Sequence, residues 1–420
     1  MKYKFLIIVI LIIGIIIRFY RLPDLTSFSY EQALALESAG QMVQTGKISL
    51  VGVEYFIRQT SAGHSFFNSA FYLYPISLVQ LIFGYDPIYQ AILFSLLNIF
   101  AGWVLYYLAS KYLGKRMGLY TLVIFMFSPT MVDISRTVWH IYLLIPITVL
   151  SLFFLFRSYY ETKPLNLILL GFFLGLGFGI HISFILGVAI GLVLSFYYLF
   201  LMRKIKLFGL LLFGVLLGNF PMIIFDLRHN FYNLRTMITF LMETLSTHQS
   251  GFSFEYYHFL YLLVPLYLLA AILMKKFFIP KTAGLLLILY VLISYQGFHL
   301  GDKYPAGMPK GTSLNIIKKI SSIIAADAPG RYEVASIIDG ETRAENIRYL
   351  LQYVNNKPPL GNDQYPNADI LYVVSYTNQE PLTKSVYEID SIKPAKIDNT
   401  WQINDLIKLT KIGRTKTNEK

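Results

Sequence analysis

Residues 165–201 read LNLILLGFFLGLGFGIHISFILGVAIGLVLSFYYLFL, two apolar runs, 165–180 and 182–201, that meet at His181. A helix rises about 1.5 Å per residue and a hydrocarbon core is about 30 Å thick, so runs of this kind are sized to cross a membrane. Arg157 and Lys163 precede the pair, and Arg203, Lys204 and Lys206 follow it. By the positive-inside rule both basic groups are cytoplasmic, which sends the first run out and the second back in. Similar runs lie near 5–19, 88–108, 119–127, 141–156, 207–225, 259–273 and 283–293. Lys2/Lys4, Lys111/Lys115/Arg116 and Lys275/Lys276/Lys281 fall at alternate ends of them.

Composition agrees: 55% of residues are hydrophobic, 16% aromatic and 14% charged, more apolar surface than a soluble core of this length could hide. The reading is an all-α polytopic membrane protein of about nine spans plus juxtamembrane helices, with the N-terminus inside and the C-terminus outside. The first run is too long for a signal peptide and lacks a small-residue cleavage site, so it is expected to stay as a span. The net charge of +12 is used up in the cytoplasmic clusters, and no basic groove interleaved with aromatics remains for nucleic acid. The absence of cysteine excludes disulfides, thiolate nucleophiles and cysteine-ligated metals.

One run breaks the count. Residues 66–83 are apolar, yet a crossing there would move Lys111, Lys115 and Arg116 outside. They are therefore read as a re-entrant or juxtamembrane helix with Tyr72, Tyr74 and Tyr85 at headgroup level. The run 119–127 is short and ends at Pro129. Near Gly301 the composition turns soluble, which divides the chain into a membrane domain, 1–300, and a small exoplasmic α/β domain, 301–420. In the latter, helices are expected at 313–326 and 343–354, strands at 332–338 and 368–375, and later strands near 387–389 and 406–412. Its acids read as solvated surface.

The outer loops carry the candidate chemistry. In Phe28-Ser29-Tyr30-Glu31-Gln32, Ser29 and Gln32 form a capping box that starts a helix with Glu31 in its first turn. There the helix dipole favours the carboxylate that a general base requires. The same loop, 21–65, holds Asp24, Glu37, Glu54, Arg58 and His64. A second group is Asp133, Arg136, Trp139 and His140, and a third is Asp226, Arg228 and His229. Mixed carboxylates, arginines and histidines suit a base beside an anionic group, and arginine's planar fork suits phosphate. Each has a plainer reading. Glu31 is a common helix-start acid, Arg18, Arg21 and Arg235 snorkel to lipid phosphates, Asp226 and Arg228 form a local ion pair, and His181 is structural. No HExxH, Walker or GxSxG motif occurs, and the histidines lack metal-ligand spacing.

Taken together, an N-terminal span, a first outer loop opening on Glu31-Gln32, His64 ahead of an aromatic juxtamembrane segment, Ser135-Arg136 and Phe225-Asp226-Leu227-Arg228-His229 resemble the GT-C integral-membrane glycosyltransferases. The pattern is similar to the glycosyltransferase family 39-like branch of protein-mannosyltransferases and aminoarabinose transferases, over about residues 4–300. Glu31 stands where that family has Asp, and the prolines after the basic residue are missing. The resemblance implies transfer of a sugar from a polyprenyl-phosphate donor to a lipid, glycan or protein acceptor at the outer face of the cell membrane. Glu31 would be the base, with inversion at the anomeric carbon. Arg58, His64, Arg136, His140, Asp226, Arg228 and His229 would bind the lipid phosphate or sugar, with Glu37 and Asp133 as secondary carboxylates. No cofactor is required, though a divalent cation is compatible. A transporter or flippase of lipid-linked sugars is a competing reading, disfavoured because the charges gather at one surface and not at mid-membrane. An inactive lipid-binding member is another, suggested by Glu in place of Asp.

Overall fold

A computed structural model of the chain describes residues 2–247 and 255–415, with the side chains of Lys2, Phe56, Ile57, Arg58 and Thr247 outside that description. Helix α1 (Lys2–Phe19) leads through a single turn, α2 (Leu22–Leu25), to α3 (Tyr30–Thr45). The expected capping box starts α3, and Gly46 ends it in the left-handed conformation with its N–H on the Met42 carbonyl. An antiparallel hairpin follows, β1 (Val51–Gln59) with β2 (Ser65–Ser69), and then a 3₁₀ turn into α4 (Leu73–Phe83). The segment 66–83 is therefore half strand and half helix. The strand half was read as helix because Phe66 and Phe67 are apolar in either period.

Helices α5 (Pro87–Tyr112), α6 (Lys115–Met126), α7 (Pro129–Ser135), α8 (Leu144–Glu161), α9 (Pro164–Ile180), α10 (Ile185–Leu201), α11 (Phe208–Gly218), α12 (Phe220–Arg228), α13 (Tyr232–Thr247), α14 (Leu263–Phe277) and α15 (Pro280–Ser294) complete the apolar part. With their 3₁₀ leads, four stretches (Pro87–Tyr112, His140–Glu161, Ile182–Leu201 and Tyr256–Phe277) are each long and apolar enough to cross a membrane. Two bent pairs bring the number to six: α6 with α7 at 60°, and α11 with α12 at 72°. The run 207–225 is thus broken, because Pro221 cannot donate the backbone bond that would continue the helix; Pro129 does the same after α6. Helices α9 and α15 are apolar but shorter.

Helices α9 and α11 touch backbone to backbone. A Cβ on Gly171 would sit 2.1 Å from the Leu211 carbonyl oxygen, and one on Gly175 2.1 Å from that of Val215. Gly214 and Gly218 answer from the other side, 2.2 Å from the Ile168 oxygen and 2.1 Å from the Phe172 oxygen. Small residues four apart on both helices permit this approach, which in lipid replaces hydrophobic burial as the source of association.

Two arginines read as snorkelling to lipid phosphates are engaged by protein groups. Arg18 is fully buried: Nε donates to Asn98 Oδ1 at 3.1 Å, and Nη1 donates to the carbonyls of Gly14 and Met126. Half-buried Arg21 pairs with Asp24 at 3.2 Å and donates to the Asp302 carbonyl, joining the first loop to the start of the tail.

The C-terminal region consists of α16 (Leu314–Asp327), β3 (Tyr332–Ser336), α17 (Glu345–Tyr349) running into a π-helical turn, β4 (Ile370–Tyr376), α18 (Tyr387–Asp390), β5 (Ala395–Gln402) and β6 (Ile407–Arg414). The sheet order is β3-β4-β6-β5, with β3 parallel to β4 (Val334 opposite Tyr372) and the other pairs antiparallel. The expected strand at 387–389 is helix α18, and β5 is a strand the sequence reading lacked; its residues are mostly exposed, and its alternation of Ala395, Ile397 and Trp401 with polar residues is interrupted at Asn399, where the register shifts. The acids here are not all surface. Glu333 is fully buried against Arg348, and Glu345 and Glu388 are buried as well.

This region is not a loose appendage. Its Ile317, Val334, Tyr349 and Leu409 belong to the same buried apolar cluster as Ile10, Leu36 and Leu105. Tyr349 donates to the Tyr85 carbonyl at 2.7 Å, Asn346 donates to the Phe28 carbonyl at 3.1 Å, and a Cβ on Gly40 of α3 would meet the Tyr353 ring at 2.7 Å.

Candidate active site

Glu31 is exposed in the first turn of α3, where the Ser29 and Gln32 cap fixes the helix start. A bridge between Ser27 and Thr137 holds this turn against the loop that follows α7. The first and second sequence clusters are thereby brought together. The Glu31 carboxylate is near enough to act electrostatically on Tyr30, Tyr72 and Tyr142, and Asp133 acts on Tyr142 too. Trp139 packs edge-on to Tyr142, with centroids 5.4 Å apart, and against Tyr257 at 4.8 Å, so aromatic rings wall this side.

Within the second cluster the roles separate. Arg136 is 2% exposed, and all three of its nitrogens donate to backbone carbonyls: Nε to Arg18, Nη1 to Phe298 at 3.0 Å and Nη2 to Ile17. It closes the carbonyl end of α1 and ties it to the segment entering the tail. Asp133 lies 3.8 Å from His299 Nε2, whose Nδ1 meets Asp302 at 2.8 Å. His140 is buried and stacked on Tyr72, with centroids 4.7 Å apart, and its Nε2 is 3.2 Å from the Asn68 side-chain nitrogen.

The third cluster gathers at another corner. Asp226 is buried and makes no pair with Arg228. Its carboxylate accepts from the backbone N–H groups of Asn233 at 2.8 Å and Leu234, capping α13. Arg228 and His229 are exposed at the end of α12, where His229 stacks on Phe225 at 4.3 Å. His64, exposed at the turn of the hairpin, lies 6.2 Å ring to ring from Tyr232 of α13. Arg58 has its side chain outside the described residues. Strand β2 is the seam between corners: Phe67 exchanges backbone bonds with the Asn233 amide (2.7 and 3.3 Å), while its neighbour Asn68 reaches His140.

Glu37 faces the C-terminal region, where burial, and then the nearby Glu345 carboxylate, push its carboxyl above the usual range. Burial also raises Asp339, and raises Glu341 to about 6. Both line a recess shared with Tyr30 and Asn346, next to the start of α3. Among the described residues no three carboxylate or imidazole groups assemble as a metal set. Sequence reading missed Asn68, Asn219 and Asn233 altogether: neutral amides carry no charge signal, and their setting in a hairpin and a helix break was not foreseen.

Residues 69–225 match the family model for dolichyl-phosphate-mannose-protein mannosyltransferase. No curated protein matches the chain. Among solved structures, ArnT from Cupriavidus metallidurans bound to undecaprenyl phosphate is similar with a TM-score of 0.65 at 11% identity, over 96% of this chain and 97% of that one. The same protein in the apo state gives 0.57 at 10% identity, over 98% of each chain. At that identity the likeness is one of fold. The resemblance to the GT-C glycosyltransferases stands on both kinds of match.

Proposed function

We propose that this chain transfers a sugar from a polyprenyl-phosphate-linked donor to an acceptor at the outer face of the cell membrane, with Glu31 as the general base. The observation that carries the reading is the exposed Glu31 carboxylate in the first turn of a capped helix, beside Tyr30, Tyr72 and Tyr142, in a chain whose residues 69–225 match a mannosyltransferase family. That the similar ArnT structure holds undecaprenyl phosphate supports a polyprenyl donor. With α1, α9 and α15 taken as crossings beside the six long or bent apolar stretches, the reading has nine spans, and the positive-inside rule applied to the basic clusters supports Glu31 and the tail lying on the outer side.

In the reaction the acceptor hydroxyl gives its proton to Glu31 as its oxygen bonds to the anomeric carbon. The bond from that carbon to the phosphate oxygen breaks, and the lipid phosphate leaves with the electron pair. A single displacement inverts the anomeric centre. His64, exposed at the hairpin turn 6.2 Å ring to ring from Tyr232, and Arg228 and His229, exposed at the end of α12, are the cations assigned to meet the phosphate, and charge-assisted bonds to it strengthen as it departs. Asp226 and Arg136 act behind this surface, by fixing α13 and α1. The acid in place of the family's Asp places the carboxylate one methylene further out, within reach of an acceptor held by the aromatic wall.

The test is transfer by the purified full chain from labelled undecaprenyl-phosphate hexose. Glu31→Gln keeps shape and removes the base, so transfer should fall about a hundredfold or more with the melting temperature unchanged. Undiminished transfer by the Gln variant would end the assignment.

A further inference from the structure

Behind strand β2, between the end of α9 and the break from α11 to α12, is a recess open to solvent on one side, with about 320 Å³ of empty space that includes the solvent at its mouth. Phe66, Phe67, Phe178 and Tyr55 are among its walls, and none of its lining residues is charged. Its polar residues are Asn68, Ser69, Asn219, Asn233 and the phenol of Tyr55.

Three of these are left open. The Asn68 side-chain nitrogen donates to the Ile180 carbonyl at 3.1 Å and points its other hydrogen at His140 Nε2, 3.2 Å away. Turning the amide over would set two oxygens against each other at Ile180, so its orientation is fixed. Asn68 Oδ1, in a side chain 5% exposed, is then a buried acceptor without a partner, and so is Asn219 Oδ1. Ser69 Oγ, at 1% exposure, is unpartnered as well. Each such atom forfeits a hydrogen bond until a donor arrives. A phosphate offers these oxygens no donor and finds no cation here. A sugar ring offers hydroxyl donors for the amides and C–H faces for the rings. Gly179 supplies the room: a Cβ there would stand 2.5 Å from Asn219 Oδ1 and 2.9 Å from Ser69 Cβ.

We propose that this cavity is a binding site for the uncharged sugar ring of the lipid-linked substrate, with hydroxyls donating to Asn68 Oδ1 and Asn219 Oδ1 and with Gly179 setting its size. The proposal rests on the glycosyl-transfer reading. The chain Asn68–His140–Tyr72 connects the cavity to the tyrosines around Glu31.

Binding of two probes to the full chain in lipid nanodiscs decides it: bare undecaprenyl phosphate, and the same lipid carrying glucose or mannose. The wild type should bind a glycosylated lipid at least tenfold more tightly than the bare one. Gly179→Ala should erase that preference and leave bare-lipid binding as it was. Should Gly179→Ala fail to fold, Asn219→Leu, which removes one acceptor and keeps volume, is the deciding variant. A variant that keeps the preference overturns the cavity assignment, as does a wild type that binds bare lipid with no preference. A wild type that binds neither lipid counts against lipid-linked transfer itself, and the cavity assignment falls with it.

Discussion

Replacing Arg136 separates two roles that the sequence leaves joined. Its position in a Ser-Arg pair at an outer loop suggests a phosphate ligand, yet its nitrogens are occupied by the carbonyls of Ile17, Arg18 and Phe298. Two of those carbonyls belong to the last turn of α1, which has no helical donors left for them. Hydrogen bonds from a charged donor are worth about 1.5–3 kcal/mol each, and three in one site overlap, so Arg136→Met should destabilise the chain by about 3–5 kcal/mol. Lysine keeps the charge but concentrates its donors at one point, and should recover only part of the loss. Thermal unfolding in detergent gives the order wild type, Lys, Met. Donor affinity measured on the folded fraction should change less than threefold. A Met variant that melts like the wild type but loses donor tenfold or more would refute the clamp and restore the phosphate ligand.

Two further substitutions address packing and charge. Gly175→Val forces a side chain into the Val215 carbonyl, a 2.1 Å approach already at Cβ, and should destabilise the chain by about 3 kcal/mol; a wild-type melting temperature would contradict the backbone contact of α9 and α11. Glu341, raised by burial from 4.5 to about 6, binds its proton more tightly folded than unfolded. Its contribution, at most about 2 kcal/mol, is present below pH 4.5 and is lost as pH rises through about 6. Glu341→Gln should therefore flatten the fall in melting temperature between pH 4.5 and 7, and an unaltered slope would remove Glu341 as its source.

What the sequence reveals follows the strength of each physical signal. Apolar length and basic flanks mark the long helices, and the Ser29/Gln32 box gives the start of α3 to the residue, because both depend on local chemistry. The break of 207–225 is visible in Pro221 only to a reader willing to interrupt a uniform apolar run. Hairpin β1–β2 is hidden because Phe66 and Phe67 face a protein wall and not lipid, and hydropathy does not distinguish the two. The burial of Arg18 depends on Asn98, eighty positions away. Such partners are set by the packing of spans and leave no local trace. The same holds for Asp226: its acidity is legible, but its use as a cap for α13 depends on a turn through Asn230 and Phe231, both with positive φ.

The bond from Asn346 to the carbonyl of Phe28 links residues 318 positions apart. Beside it, Tyr353 fills the notch at Gly40 on the same helix that carries Glu31. Translated into the order of synthesis, the first loop is made early and stays unfinished, with one flank of its helix uncovered, until the last quarter of the chain has been delivered. The Glu31 carboxylate therefore acquires its fixed setting only after Asn346 and Tyr353 have been made, and a chain interrupted before them has its apolar helices but leaves this flank of α3 uncovered.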